Sequence, residues 1–96
     1  MWYNMAMKIL IDADGCPVVD LTLQAAAEHG LEAILFCDTS HEFKEKNARV
    51  VTVDKGSDSA DFALIRQVKP GDIVVTQDYG LAAMVLAKRG YPITQN

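Results

Sequence analysis

This sequence has little to staple it together and little to carry it elsewhere. Cysteine occurs only at Cys16 and Cys37. Two thiols make no disulfide framework and fit a reducing compartment, so a cytoplasmic location is expected. Neither their spacing nor the placement of His29 and His41 completes a zinc-ligand set. No apolar run reaches the ~18 residues of a membrane span, so a membrane is not an expected partner. The opening MWYNMAMK has no charged-then-apolar leader, and nothing in it suggests secretion. Positive charge is scarce as well: nine Lys and Arg stand against thirteen Asp and Glu, for a formal net charge of −4. Nucleic-acid binders usually carry a basic footprint. A bound divalent cation would offset part of this acidity locally.

What the chain does have is apolar content. Half of its 96 residues are hydrophobic, enough for one small domain with a true core and too little length for two. The domain is read as residues 7–96, with 1–6 as an N-terminal extension. The sequence stops at Gln95-Asn96, straight after the last expected strand, and a fragment truncated at the C-terminus is expected.

The pattern alternates strand and helix. MKILIDAD is a buried strand that runs into acids, and Pro17 suits the first position of the helix VVDLTLQAAAEHG, with Gly30 as its stop. LEAILFC and ARVVTVD are the second and third strands. DTSHEFKEKN between them is polar and holds at most a helical turn. Ser57 or Ser59 can cap SDSADFALIRQV, where Leu64, Ile65 and Val68 make an apolar face. KPGD is a turn, IVVTQ a fourth strand, DYGLAAMVLAKR a third helix with Gly90 as its stop, and YPIT a fifth strand that Pro92 assigns to an edge. Such alternation predicts parallel βαβ units in a three-layer α/β sandwich.

Acids gather where these elements turn. Asp12 and Asp14 close the first strand, and period-two alternation puts both on one side. Asp58 and Asp61 are three apart at a helix start, hence on one face. Asp78 stands at the junction of the fourth strand and its helix. In a sheet of order 3-2-1-4-5, strand order reverses between strands one and four, and ligands bind outside the carboxyl ends at that point. Each acid also has a plainer role. Asp78 can simply cap its helix, and Asp58 and Asp61 can answer the helix dipole. Asp12 has no capping duty. Several carboxylates converging at one end of a sheet call for a hard cation with oxygen ligands, Mg²⁺ or Mn²⁺. Cys16 sits at a helix start, with no histidine near it in sequence, and reads as a small core residue. Lys55 can approach a phosphate or remain a solvated loop lysine. Thr76 can turn its hydroxyl into the site or merely suit a strand. Arg66, Lys88 and Arg89 are further candidate phosphate anchors.

DADGCP (12–17), VTVDKGSDSAD (51–61) and GDIVVTQDYGLAAMVLAKRG (71–90), in that order, resemble the YaiI/YqxD family of bacterial proteins, also called DUF188 and UPF0178. The resemblance runs from Met7 to about Asn96. The family in turn resembles the PIN-domain superfamily, whose members are largely metal-dependent ribonucleases. That likeness implies a PIN-like fold in which Asp12 is the strand-one acid, Asp58 and Asp61 the helix acids, and Asp78 the strand-four acid. Asp14 has no firm PIN counterpart. Gly15 stands where the family usually has alanine, and family members commonly continue further, with basic residues.

Three functional readings follow. The leading one is a phosphodiester hydrolase, with RNA as substrate and partner, in which Asp12, Asp58, Asp61 and Asp78 hold one or two Mg²⁺ or Mn²⁺ ions and Lys55 and Thr76 approach the phosphate. The second is a phosphatase in which Asp12 is the nucleophile and Asp14 the general acid, since DADGC loosely resembles a D-x-D pair. The third is a metal- or RNA-binding module without turnover. Oligomeric state is open, a homodimer included.

Overall fold

The computed structural model describes residues 7–13, 18–38, 48–53 and 60–94. Five strands and three helices follow in the order β1 (Lys8–Asp12), α1 (Val19–Glu28), β2 (Glu32–Cys37), β3 (Arg49–Thr52), α2 (Ala60–Gln67), β4 (Ile73–Val75), α3 (Tyr79–Ala87) and β5 (Tyr91–Ile93). The strands form one sheet in the order β3-β2-β1-β4-β5, and every pairing is parallel. Both the α/β class and the expected strand order therefore hold.

β1 is central, and its apolar run is the reason. A parallel sheet is covered on both faces, so its inner strands carry apolar residues without alternation. Ile9, Leu10 and Ile11 are all buried. Ile9, Ile11 and Ala13 face α1 together with Leu35, Cys37 and Val75. Leu10, Ile34, Phe36 and Val74 face the opposite way, against Leu64 and Val68 at the end of α2 and Leu81 and Val85 of α3. One helix thus covers one face and two cover the other, which makes the three layers. β5 is an edge strand, as Pro92 requires.

Helix ends show where sequence and structure part. α1 ends as expected: Gly30 takes the left-handed conformation at φ +67°, the Leu31 N–H donates to the Ala26 carbonyl at 2.9 Å, and the Gly30 N–H donates to that of Ala27 at 3.2 Å. This is the Schellman closure. α3 closes with the same pair of bonds, from Gly90 N–H to Val85 O and from Arg89 N–H to Leu86 O, each at 2.9 Å. The left-handed residue is Arg89, at φ +68°, not the expected Gly90. Gly90 is needed one position later for space. A Cβ there would lie 2.8 Å from Val85 Cγ1 and 3.1 Å from the Asp72 carbonyl oxygen. The chain places its glycine where backbone and side chains crowd and leaves arginine in the strained conformation.

The turn at Lys69–Asp72 forms as expected, closed by Asp72 N–H to Lys69 O at 3.0 Å. Its acid does more than turn. Asp72 is buried and accepts from Lys8 Nζ at 2.6 Å, from the Lys69 N–H at 2.9 Å and from the Lys8 N–H at 3.3 Å. This pins the amino ends of β1 and β4 together.

Candidate functional site

At the other end of the same two strands stands Asp12. It is the last residue of β1, half-buried, on the face that carries α2 and α3. Thr76 follows β4 directly and is fully buried. Its hydroxyl donates to Asp12 Oδ2 at 2.8 Å and accepts from the Asp78 N–H at 3.0 Å. Thr76 therefore does more than suit a strand end: its hydroxyl has a polar partner on each side. The hydroxyl ties the strand-one acid to the backbone of the acid that follows strand four, so Asp12 and Asp78 lie at one end of the sheet, where the adjacent strands β1 and β4 end.

Asp78 is the N-cap of α3. Its Oδ1 accepts from the Gly80 N–H at 2.8 Å and from the Leu81 N–H at 3.2 Å. The plainer role considered for this acid is thus realised: one carboxylate oxygen serves two amides that the helix cannot satisfy itself. β4 ends at Val75 and α3 starts at Tyr79, inside the expected boundaries, because Thr76 to Asp78 form this capping link. Asp61 lies in the first turn of α2. That helix follows β3, so its start is at the carboxyl end of the sheet, on Asp12's face. Asp14, Asp58, Lys55 and Cys16 lie outside the described residues.

The basic candidates are elsewhere. Arg66 is in the last turn of α2, and Lys88 and Arg89 follow α3 just before β5 begins. Lys88 Nζ donates to the Ile65 carbonyl at 2.7 Å, and the Arg89 carbonyl accepts from the Gly71 N–H at 3.0 Å. All three are therefore at the amino ends of the strands, a full strand length from Asp12. As phosphate anchors for a site at Asp12 in the same molecule they are excluded.

The separation is general among the described residues. Every described lysine and arginine (Lys8, Arg49, Arg66, Lys69, Lys88 and Arg89) lies at the amino end of the sheet. The acids of the carboxyl end are Asp12, Asp38 after β2, Asp20 and Asp61 in first helical turns, and Asp78. Sequence order hides this pattern, since acids and bases interleave along the chain. It emerges because parallel strands send every βα turn to one end and every αβ turn to the other. The described residues of the carboxyl end, taken by themselves, favour cations over anions.

An all-oxygen donor set of carboxylates suits Mg²⁺ or Mn²⁺ by its chemistry. Among the described residues, no group of three or more His, Cys, Asp or Glu side chains is arranged to hold a metal ion. The expected ligands Asp14 and Asp58 lie outside the described residues.

A family model described as "Uncharacterized BCR, YaiI/YqxD family" matches residues 10–96. The chain is 56% identical over 90 residues to a "UPF0178 protein" of Exiguobacterium sibiricum, which covers 94% of this chain and 61% of that one. It is 53% identical over 83 residues to a "UPF0178 protein" of Lachnoclostridium phytofermentans, covering 86% of this chain and 56% of that one. A third "UPF0178 protein", of Alkaliphilus oremlandii, is 49% identical over 90 residues, with 94% and 58% covered. The chain thus spans less than two thirds of the length of these curated relatives. No solved structure matches it. The match across the strand–turn segments that carry Asp12, Asp61, Thr76 and Asp78, together with relatives at this level of identity, makes the chain a member of the YaiI/YqxD family.

Proposed function

We propose that the carboxyl end of this sheet is a Mg²⁺- or Mn²⁺-binding site and that the protein hydrolyses phosphodiester bonds, with RNA as substrate. The observation that carries the reading is the one-sided charge: among the described residues this end has acids and no lysine or arginine. Asp12 is the central ligand of the proposed site, because it closes the middle strand at the point where strand order reverses. Asp78 and Asp61 are further ligands, and Asp58 and Asp14 complete the set. A cation bound there supplies charge neutralisation on a phosphate and a nucleophile at neutral pH.

The chain's own residues then have distinct tasks. Thr76 fixes one oxygen of Asp12 by donating to it, which orients the carboxylate before any ion arrives. Asp78 divides its oxygens between α3 and the site, Oδ1 going to the helix amides. Of the two residues expected to meet a phosphate, Lys55 keeps that task. Thr76, fully buried with its hydroxyl engaged by Asp12 and the Asp78 N–H, takes the positioning role instead, and Arg66, Lys88 and Arg89 belong to the far end.

Asparagine substitutions separate fold from function here. Asn caps helices about as well as Asp, so Asp78→Asn keeps the cap. Asp12→Asn keeps a carbonyl oxygen for the Thr76 hydroxyl to donate to. Melting temperatures are measured with and without millimolar Mn²⁺, beside cleavage of labelled single-stranded RNA at low salt. A cation held at one hundred times its Kd stabilises by about 2.7 kcal/mol, a rise of roughly ten degrees or more for a domain of this size. That rise and the cleavage are expected in the parent, with both reduced in Asp12→Asn and Asp78→Asn. No Mn²⁺ shift in the parent overturns the metal site. A shift without cleavage reassigns the protein to binding alone, and a phosphoaspartate trapped on Asp12 selects the phosphatase chemistry.

A further inference from the structure

Among the described residues, the face of the sheet that carries α1 is only partly covered. α1 lies over β1 and β2, and beside it an apolar groove of about 480 Å³ runs over β1, β4 and β5. Its floor is Ile9, Ile73, Val75 and Ile93, and its wall is the Val18–Leu21–Ala25 side of α1. Leu21 is 66% exposed and Ile93 51% exposed. On the other face, the same strands are closed by α2 and α3. A parallel sheet that is open on one face is unusual, because its apolar strands need helices on both.

We propose that the groove is the seat of a helix from the part of the family's chain that lies outside the match to this sequence. Two observations choose this occupant. The Exiguobacterium sibiricum relative matches 94% of this chain with only 61% of its own length, so close to two-fifths of that protein has no counterpart here. The groove is also lined by Ile93 and Thr94, the carboxyl end of β5. The opposite face, by contrast, is packed by α2 and α3. A small ligand fits the lining less well. Ligand pockets hold a few fixed polar groups for orientation. Here the Thr22 hydroxyl turns back to the Val18 carbonyl at 2.7 Å, and the other lining side chains, Thr94 apart, are apolar. A helix presenting apolar residues at i, i+3/i+4 and i+7 is what such a groove takes. This inference is independent of the proposed metal site at the carboxyl ends.

The test uses this chain together with the unmatched residues of the Exiguobacterium sibiricum protein, made as a separate polypeptide. Binding is followed by calorimetry and by the circular dichroism of the added polypeptide. Leu21→Asp and Ile93→Asp place charges on exposed positions of the groove and leave the fold intact, which their melting curves verify. Saturable binding with a gain of helix is expected, weakened at least tenfold by either substitution. No binding, or binding indifferent to both substitutions, overturns the proposal. A concentration-dependent dimer of the chain alone that both substitutions abolish also overturns it, and gives the groove to a second copy.

Discussion

Thr76→Val asks whether this residue is at the end of β4 for its shape or for its hydroxyl. Valine keeps the β-branch, the volume and the strand preference, and removes only the donor to Asp12 and the acceptor for the Asp78 N–H. A hydrogen bond to a charged group contributes ~1.5–3 kcal/mol. Asp12 is half-buried, so water recovers part of the loss and the lower figure applies. Losing the acceptor for the Asp78 N–H adds ~0.5–1 kcal/mol, because Asp78 is exposed and its amide can turn to solvent. Burying a methyl in place of the hydroxyl returns up to ~0.8 kcal/mol. The net expectation is a loss of ~1–2 kcal/mol, or roughly 5–15 °C in melting temperature for a domain of this size.

Urea denaturation with an unchanged m-value measures this directly. Thr76→Ser is the companion variant. It retains the hydroxyl and loses a methyl, so it reports the packing loss with the polar link kept. A double-mutant cycle of Thr76→Val with Asp12→Ala isolates the contact, and residues in one network couple by ~0.5–3 kcal/mol. Zero coupling, or a Thr76→Val protein as stable as the parent with an unchanged Mn²⁺ response, would refute the view that Thr76 positions Asp12.

Three further outcomes are expected. Asp72→Ala leaves the Lys8 ammonium and the Lys69 amide without their acceptor at a buried position and should cost ~3 kcal/mol or more, read by chemical denaturation; a cost under 1 kcal/mol would mean the pair is solvated. Gly90→Ala pushes a Cβ to 2.8 Å from Val85 Cγ1 and should destabilise by ~1–3 kcal/mol as overpacking does, with no change in Mn²⁺ response. Arg89→Gly relieves a left-handed arginine and should raise stability by ~0.5–1 kcal/mol, seen as a higher urea midpoint.

The sheet was legible in the sequence because burial on both faces writes itself as an unbroken run. Ile9–Ile11, Ile34–Cys37 and Ile73–Val75 declare themselves as strands without reference to anything distant. Helix ends were less legible, because a glycine near a helix terminus has two possible reasons. Gly30 is there for its φ. Gly90 is there because Val85, Val68 and the Asp72 carbonyl leave no room for a Cβ, and only the packed structure distinguishes the two. The basic residues failed for another reason: Arg66, Lys88 and Arg89 are close in sequence to Asp61 and Asp78, but a helix length carries each to the opposite end of the sheet.

Asp12 and Asp72 show what a single sequence withholds about a site. Both are acids abutting an apolar strand, and local pattern treats them alike. Their partners decide the difference, and both partners lie 64 residues away. That offset is the register of β1 against β4, in which Ile9 faces Ile73, Leu10 faces Val74 and Ile11 faces Val75. Continued one step at each end, the same register sets Lys8 beside Asp72 and Asp12 beside Thr76, all on the face that carries α2 and α3. A slip of one residue would turn each of these side chains toward the wrong face and leave the buried Asp72 without its cation at one end and the half-buried Asp12 without its hydroxyl at the other. The apolar middle of the pair tolerates such a slip better, since isoleucine and valine follow one another there. The polar ends therefore specify the register, and the Lys8–Asp72 pair, remote from the acidic end, holds Asp12 within reach of Thr76 through the rigid strand between them.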